Sequence, residues 1–277
     1  MSLSILNNIS SLSAQNQLQL TQASLSKTLQ QLSSGSRINS GADDAAGLAI
    51  ADGLNANITA LTQSTRNATD GVGMLQVADG ALSQITSLLN RAVTLATESS
   101  TGTVSDSQRT ALDAEFTAIK TEINTIGQKT TYNGQAIFGA AANLTVYMSD
   151  SSSAGTTSVS VTIGQVDAGH LGSTSLTADA LDTAAHAQTA IGDINSAIAA
   201  VANLRGTLGA SSNQLQAASS VMSNQIQNLT SAEDGIRSAD IGQASSDLSK
   251  FTVLQQTGID ALQQSNNMEQ AVLKLLQ

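Results

Sequence analysis

The sequence predicts a mainly α fold, an elongated antiparallel helical bundle with coiled-coil packing and one small β-hairpin region. Three observations carry this. The chain of 277 residues has no proline and no tryptophan, and only 2% of it is aromatic. It therefore lacks both the large rings that fill an ordinary globular core and the residue that punctuates its loops. Apolar residues recur at alternating steps of three and four over long stretches, the period of a helix face buried against another helix. In one region of the middle that period gives way to strict alternation.

The first element is a narrow stripe of Ile5, Ile9, Leu12, Leu18, Leu25, Leu29 and Leu32 in a segment otherwise full of Gln, Asn and Ser. Next, Ser40-x-x-Asp43 reads as a cap that complements the positive end of a following helix. That helix carries the seam Leu54, Ile58, Leu61, Thr65, Ala68, Val72 and Leu75, continued by Leu82, Ile85, Leu89, Ala92 and Leu95. Gly102 and its Ser/Thr neighbours break it, and Ser105-x-x-Gln108 is a capping box opening the next helix, with Leu112, Phe116, Ile119, Ile123 and Ile126 on its apolar face.

Asn133-Gly134 is a hairpin turn signal, and Leu144, Val146, Met148 followed by Val159, Val161, Ile163 are alternating runs joined by the polar connector Ser149 to Ser158. A third helical stripe runs Ile191, Ile194, Ile198, Val201, Arg205, Leu208, Ser212, Leu215, Ser219, Met222, Ile226 and Leu229. At the rise of an α-helix this element is on the order of 60 Å long, and it must lay its stripe on the other two helices. Arg205 interrupts the stripe, so its stem packs while its guanidinium reaches an acid on a neighbouring helix or the solvent edge, an internal ion pair being favoured over a ligand site.

The last element has Leu248, Phe251, Leu254 and Leu262, then Val272, Leu273, Leu275 and Leu276, in an equally polar setting. Taken singly, each terminal stripe buries too little to offset backbone ordering at roughly 1 to 2 kcal/mol per residue, so both ends are expected to be disordered in an isolated subunit.

Several functions are disfavoured by the residues present. Lys plus Arg is 11 against 21 Asp plus Glu, a formal charge of -10, which leaves no electrostatic footprint for nucleic acid or an anionic membrane. There is no cysteine for a disulfide, a thiolate metal site or a nucleophile. The start, Met1 to Ile9, lacks the pattern of a secretory signal, and no window is apolar enough to span a membrane. Gly71-Val-Gly73 lacks the third glycine of a dinucleotide loop, with Gln76 in its place. The two histidines, His170 and His186, have no Glu-x-x-His partner and no evident carboxylate at ligand spacing. No Gly-x-Ser-x-Gly elbow occurs. The expectation is no catalytic site, no cofactor and no metal. Asn57-Ile-Thr59 and Asn143-Leu-Thr145 follow from an Asn- and Thr-rich composition, and the Ser149 to Ser160 stretch reads as a polar loop before it reads as a site for O-linked sugar.

The segment Ser34-Gly-Ser-Arg-Ile-Asn-Ser-Gly-Ala-Asp-Asp-Ala-Ala-Gly-Leu-Ala-Ile50 closely resembles the N-terminal signature of bacterial flagellin. Ala232-Glu-Asp-Gly-Ile-Arg-Ser-Ala-Asp240, Leu254-Gln-Gln-Thr-Gly258 and Val272-Leu-Lys-Leu-Leu276 resemble the closing segments of that family, with Glu269 where the family often has proline. The similarity runs through nearly the whole chain in order.

The resemblance implies a short form: terminal coiled-coil regions at 1–36 and 234–277, a central bundle at 37–132 and 178–233, and a small β element at 133–177 in place of large variable outer domains. It implies an extracellular structural subunit, not an enzyme, that self-assembles into the helical flagellar filament for swimming and leaves the cell unfolded through the flagellar type III apparatus. The N- and C-terminal helices would pair as an inner coiled coil, placing Ile5, Ile9, Leu12, Leu18, Leu25, Leu29, Leu32, Leu248, Phe251, Leu254, Leu262, Val272, Leu273 and Leu276 in assembly contacts. Arg37, Ile38, Asn39, Asp43 and Asp44 would form an inter-subunit loop. Implied partners are further copies of the chain, hook-associated and cap proteins and an export chaperone, with no nucleic acid and no membrane insertion. Leu88 to Ala96 matches the segment recognised by the vertebrate innate flagellin receptor, which offers Arg91, Leu95 and Glu115 as an epitope, although Val93 and Thr94 replace the Arg and Glu of the activating pattern. The alternatives are a hook-filament junction protein, or a flagellin-like glycan-binding adhesin using Tyr132, Phe138 and Tyr147.

Overall fold

Asn8 caps the first helix by accepting the Ser11 N–H at 3.0 Å, and Gly35, with a φ of 68°, ends it in the left-handed conformation that costs glycine nothing. From this α1 (Ile9–Ser34) the chain runs through α2 (Ala45–Ser99), α3 (Asp106–Lys129), four short strands, α4 (Ala184–Arg237) and α5 (Ile241–Leu275). The structure, a computed structural model, describes residues 8–139, 143–149, 157–171 and 175–275. Ile5 and Leu276 lie outside these, as do most of the Ser149 to Ser158 connector and the side chains of Val272 and Leu273. The chain forms two units, one of residues 1–56 and 228–277 and the other of residues 57–227.

In the second unit α2 supplies an unbroken three-four seam: Leu61, Ser64, Ala68, Gly71, Leu75, Ala78, Leu82, Ile85, Leu89, Ala92, Ala96 and Ser99 are all buried. Of the predicted seam, Leu54, Ile58, Thr65 and Val72 are half-buried, and Ser64 and Gly71 take the buried positions beside the last two. The physical reason is the β element. A β-carbon at Gly71 would stand 2.7 Å from Val146 Cγ2 and 3.2 Å from Leu215 Cδ1, so this turn of α2 must be bare for β3 and α4 to approach. Two turns away, Ser64 Oγ donates to Ser149 O at 3.0 Å and accepts from Ser149 N–H at 3.1 Å.

α3 opens as expected, with Gln108 Oε1 accepting the Ser105 N–H at 2.8 Å. It buries Phe116, Ile119 and Ile123, and also Arg109. β1 (Thr131–Tyr132) and β2 (Gln135–Ala136) form the Asn133-Gly134 hairpin, in which φ is 49° and 77°, both positive as a type I′ turn requires. β3 (Asn143–Met148) and β4 (Thr157–Thr162) pair antiparallel with Val146 opposite Val159. Val146, Met148, Val159 and Val161 are buried while Thr145, Tyr147, Ser158 and Ser160 are exposed, the alternation of a sheet with one covered face.

α4 buries Ala187, Ala190, Ile194, Ala197, Val201, Leu208, Leu215 and Met222. Ile191 and Ile198 of the predicted stripe are half-buried and alanines hold the seam instead, because a strict 3.5-residue step from Ile194 selects position over size. The Arg205 expectation holds in kind: its guanidinium meets Asp79 of α2 through two bonds of 2.7 and 3.1 Å. With 37% and 44% of the two side chains exposed, the pair sits at the edge of the bundle and not inside it.

In the first unit α1 and α5 lie antiparallel, Asn8 near Ser265 and Gln22 near Gln255. Ile9–Ser34 and Ile241–Leu275 are thus helical, where the sequence reading expected disorder in an isolated subunit. That reading weighed each stripe alone, whereas here each helix is the other's partner. α5 continues through Glu269, which accepts from Asn8 Nδ2 at 3.4 Å, so the absence of proline there lets the helix run on to Leu275. Throughout the helices Thr and Ser hydroxyls donate to the carbonyl four residues back, as in Thr21 to Gln17 at 2.9 Å, Thr28 to Ser24 at 3.0 Å and Thr65 to Leu61 at 2.9 Å.

Candidate assembly surface

The covered side of α1 has a seam of its own. Ser11, Ala14, Leu18, Leu25 and Leu32 are half-buried and Thr21 and Thr28 are buried, again at steps of three and four. On α5 the matching positions are Ala244, Leu248, Phe251, Gln255, Gly258, Leu262, Ser265 and Glu269, and Gly258 lets Leu18 come within 3.3 Å of where its β-carbon would be. Of the predicted stripe residues, Leu18, Leu25, Leu32, Leu248, Phe251 and Leu262 therefore face the partner helix.

Ile9, Leu12, Leu29 and Leu254 do not. They are exposed by 70%, 59%, 47% and 43%, and are joined off the seam by Leu20 at 64%, Val253 at 64%, Ile259 at 36% and Met268 at 56%. The apolar count alone merged two faces into one stripe. The seam period, which admits Thr and Ser, separates them and leaves a second set of large apolar side chains without cover in one copy of the chain.

The turns that link these helices to α2 and α4 are stitched together. Ser36 forms a bridge with Ser238, Arg37 N–H donates to Arg237 O at 2.7 Å, and Ala239 N–H donates to Gly35 O at 3.0 Å. Arg37 is exposed, yet its Nη2 donates to Ile236 O at 2.7 Å. Asn39 Nδ2 donates to Ser36 O at 2.9 Å.

Ile38, predicted as part of an inter-subunit loop, is only 2% exposed. Its Cδ1 would be 2.9 Å from a β-carbon on Gly47, so it is the hydrophobic anchor of the loop and not a contact for a neighbour. The two aspartates divide the predicted capping role. Asp44 Oδ1 accepts the Gly47 N–H at 2.8 Å and caps α2. Asp43 instead folds back, accepting from the Asn39 and Ser40 N–H groups at 3.2 and 3.1 Å and pairing with Lys27 at 2.8 Å. The Lys27 ammonium, helped by the Asn39 N–H, lowers the Asp43 pKa to about 2.

In the second unit Arg91 and Glu115 form a two-bond pair at 2.7 and 3.0 Å on the surface, and each strengthens the other's charged form. Leu95, offered with them as an epitope, is fully buried in the α2 seam and is core. Of the candidate sugar-stacking rings, Phe138 is 5% exposed and Tyr132 packs against Gly73, which leaves Tyr147 at 50%. The histidines do have carboxylates at short spacing, contrary to the sequence reading: His170 Nδ1 meets Asp167 at 2.7 Å and His186 Nδ1 meets Asp182 at 2.6 Å. Among the described residues no group of three or more His, Cys, Asp and Glu could hold a metal ion, and no helix is long and apolar enough to cross a membrane.

Sequence comparison places this arrangement among known chains. Residues 5–143 match the bacterial flagellin N-terminal helical region and residues 191–276 the bacterial flagellin C-terminal helical region. A flagellin of Halalkalibacterium halodurans is 33% identical over 250 residues, covering 90% of this chain and 91% of that one. A flagellin of Listeria monocytogenes is 32% identical over 288 residues, covering 97% and 98%. A flagellar filament core protein of Brachyspira hyodysenteriae is 30% identical over 290 residues, covering 98% and 99%.

Proposed function

This chain belongs to the bacterial flagellin family, and from that membership we propose that it polymerises with copies of itself into the extracellular filament that drives swimming. The observation that carries the reading is the second apolar face: α1 and α5 cover one another along a single seam and leave Ile9, Leu12, Leu20, Leu29, Val253, Leu254 and Met268 in water. In a tube of many copies the same residues of one subunit lie against unlike residues of the next, the heterologous contact that generates an open helical polymer. The exposed Arg37 and Asp44 at the stitched turns supply polar contacts at the rim of that surface. Burying each large side chain contributes about 1.5–3 kcal/mol, so a few per subunit suffice to hold a filament.

Export proceeds unfolded through the flagellar type III channel, for which the chain's lack of cysteine and proline is suited: there is no disulfide to open and no slow X-Pro isomerisation on refolding. An export chaperone, hook-associated proteins and the cap meet the same terminal helices before and at the ends of growth. The experiment is seeded growth. Full-length subunit added to filament fragments should elongate them under the electron microscope, and a chain ending at Ala271 should not, while its second unit keeps its helical signal. A full-length chain that leaves seeds unextended would sink the proposal.

A further inference from the structure

The segment that leads into α4 holds an unsatisfied acid. Asp179 closes a short 3-10 turn, Leu176–Ala178, and its N–H donates to Leu176 O at 3.2 Å. Lys120 of α3 is directed at the backbone here, its Nζ donating to Asp179 O at 2.6 Å, while it also lies 4.8 Å from the Phe116 ring centroid. Asp179 Oδ2 is buried, and among the described residues no donor reaches it. What does lie within hydrogen-bonding reach of this carboxyl is a second one, Asp193, two turns into α4. Two carboxylates are both acceptors, and only a proton between them turns their contact into a bond.

The neighbouring charges are otherwise engaged. Asp113 of α3 accepts the Leu181 N–H at 2.6 Å, and Asp182 pairs with His186. Lys120 is the one of these groups that works against the pairing, and it donates to the Asp179 carbonyl. Burying a lone acceptor is costly, whereas a protonated pair has one donor and one strong acceptor in the right place.

We propose that the Asp179 and Asp193 carboxyls share one proton and act as a clasp, tightened by acid, that fastens the segment 176–181 to α4. The same segment is tied by Ser99 Oγ, which donates to Leu181 O at 2.6 Å, so the clasp holds the entry of α4 against the end of α2 as well as α3. Burial and the negative neighbour both raise the Asp179 pKa. The sign follows: stability from the shared proton is complete below the ordinary aspartate range and is lost as pH rises through the raised folded value. At neutral pH the clasp is open and the two charges repel.

The test uses full-length subunit and two isosteric variants, Asp193→Asn and Asp179→Asn, in each of which an amide N–H replaces the missing proton. Each variant should unfold roughly 2–4 °C higher than the natural chain at neutral pH, and the gap should close in mild acid, where the natural pair takes up its own proton. The other ionisable groups are common to all three proteins and cancel in the difference. A carbon-13 titration of the natural chain should show the Asp179 carboxyl taking up its proton above the usual carboxylate range. Parallel pH profiles for all three proteins, or Asp179 titrating in the usual range, would overturn the proposal.

Discussion

Gly127 of α3 lies against the carbonyl oxygen of Val166, in contact too close for any β-carbon at position 127. The neighbour is backbone, so it has no rotamer by which to yield. Gly71 is also tight, but its neighbours are the side chains of Val146 and Leu215. Gly127→Ala should therefore cost about 3 kcal/mol or more and Gly71→Ala about 1–3 kcal/mol, the latter partly offset by alanine's better helix propensity. Chemical unfolding of the second unit measures both. Adding Val146→Ala should recover part of the Gly71→Ala loss and none of the Gly127→Ala loss.

Arg109 is a buried cation, 8% exposed, and it serves as the cap of α2: its Nε donates to Ser99 O at 2.9 Å and its Nη2 to Thr101 O at 2.8 Å. Arg109→Met should lower stability by about 2–4 kcal/mol, because the Ser99 carbonyl that loses a charged donor stays covered. Arg109→Lys should rescue little of this, since an ammonium cannot span the two carbonyls as a guanidinium fork does. Equal stability of the lysine variant and the natural chain would contradict the capping role.

The Arg205 and Asp79 pair is half in solvent, and its geometry promises more than its energy delivers. A double-mutant cycle with Arg205→Met and Asp79→Asn should return a coupling of about 0.2–1 kcal/mol, shrinking in high salt. Coupling well above that range would mean the pair is dry.

Asp43 supplies a pH prediction with the opposite sign to a buried acid. Its folded pKa is lowered to about 2 by Lys27, so its contribution is complete above the ordinary carboxylate value and is lost as pH falls toward the folded value. Lys27→Met should raise the Asp43 titration midpoint seen by carbon-13 NMR. An unchanged midpoint would remove Lys27 as the cause.

Hydrogen exchange in dilute subunit should separate the two units. Amides of α1 and α5, whose seam is half-buried and rich in Thr, Ser and Gln, should exchange faster than those of α2 between Leu75 and Leu95. Equal protection would show that the α1 and α5 pair needs no further copies to be stable.

Large apolar residues made much of this legible in advance. The α2 seam, the Ser105 capping box and the pairing of the two alternating runs were all readable from spacing, because each rests on a local rule that tertiary context did not override. Positions held by small residues were not. Gly71 and Ser64 sit in the core for what approaches them, and hydropathy ranks them as surface. Ile38 and Leu95 failed in the other direction: a signature in sequence does not say which of its members point inward. The split of the α1 stripe into a covered and an open face was missed because Thr21 and Thr28 were not counted as seam residues.

Those threonines carry a final consequence. A hydroxyl that already donates to its own helix has little left to ask of water, so stripping solvent from a Thr- or Ser-rich helix face forfeits few hydrogen bonds. Such a face can be dehydrated by almost any helix laid upon it, with shape and methyl groups setting the fit. Polarity in the composition thus does not make these surfaces expensive to dry.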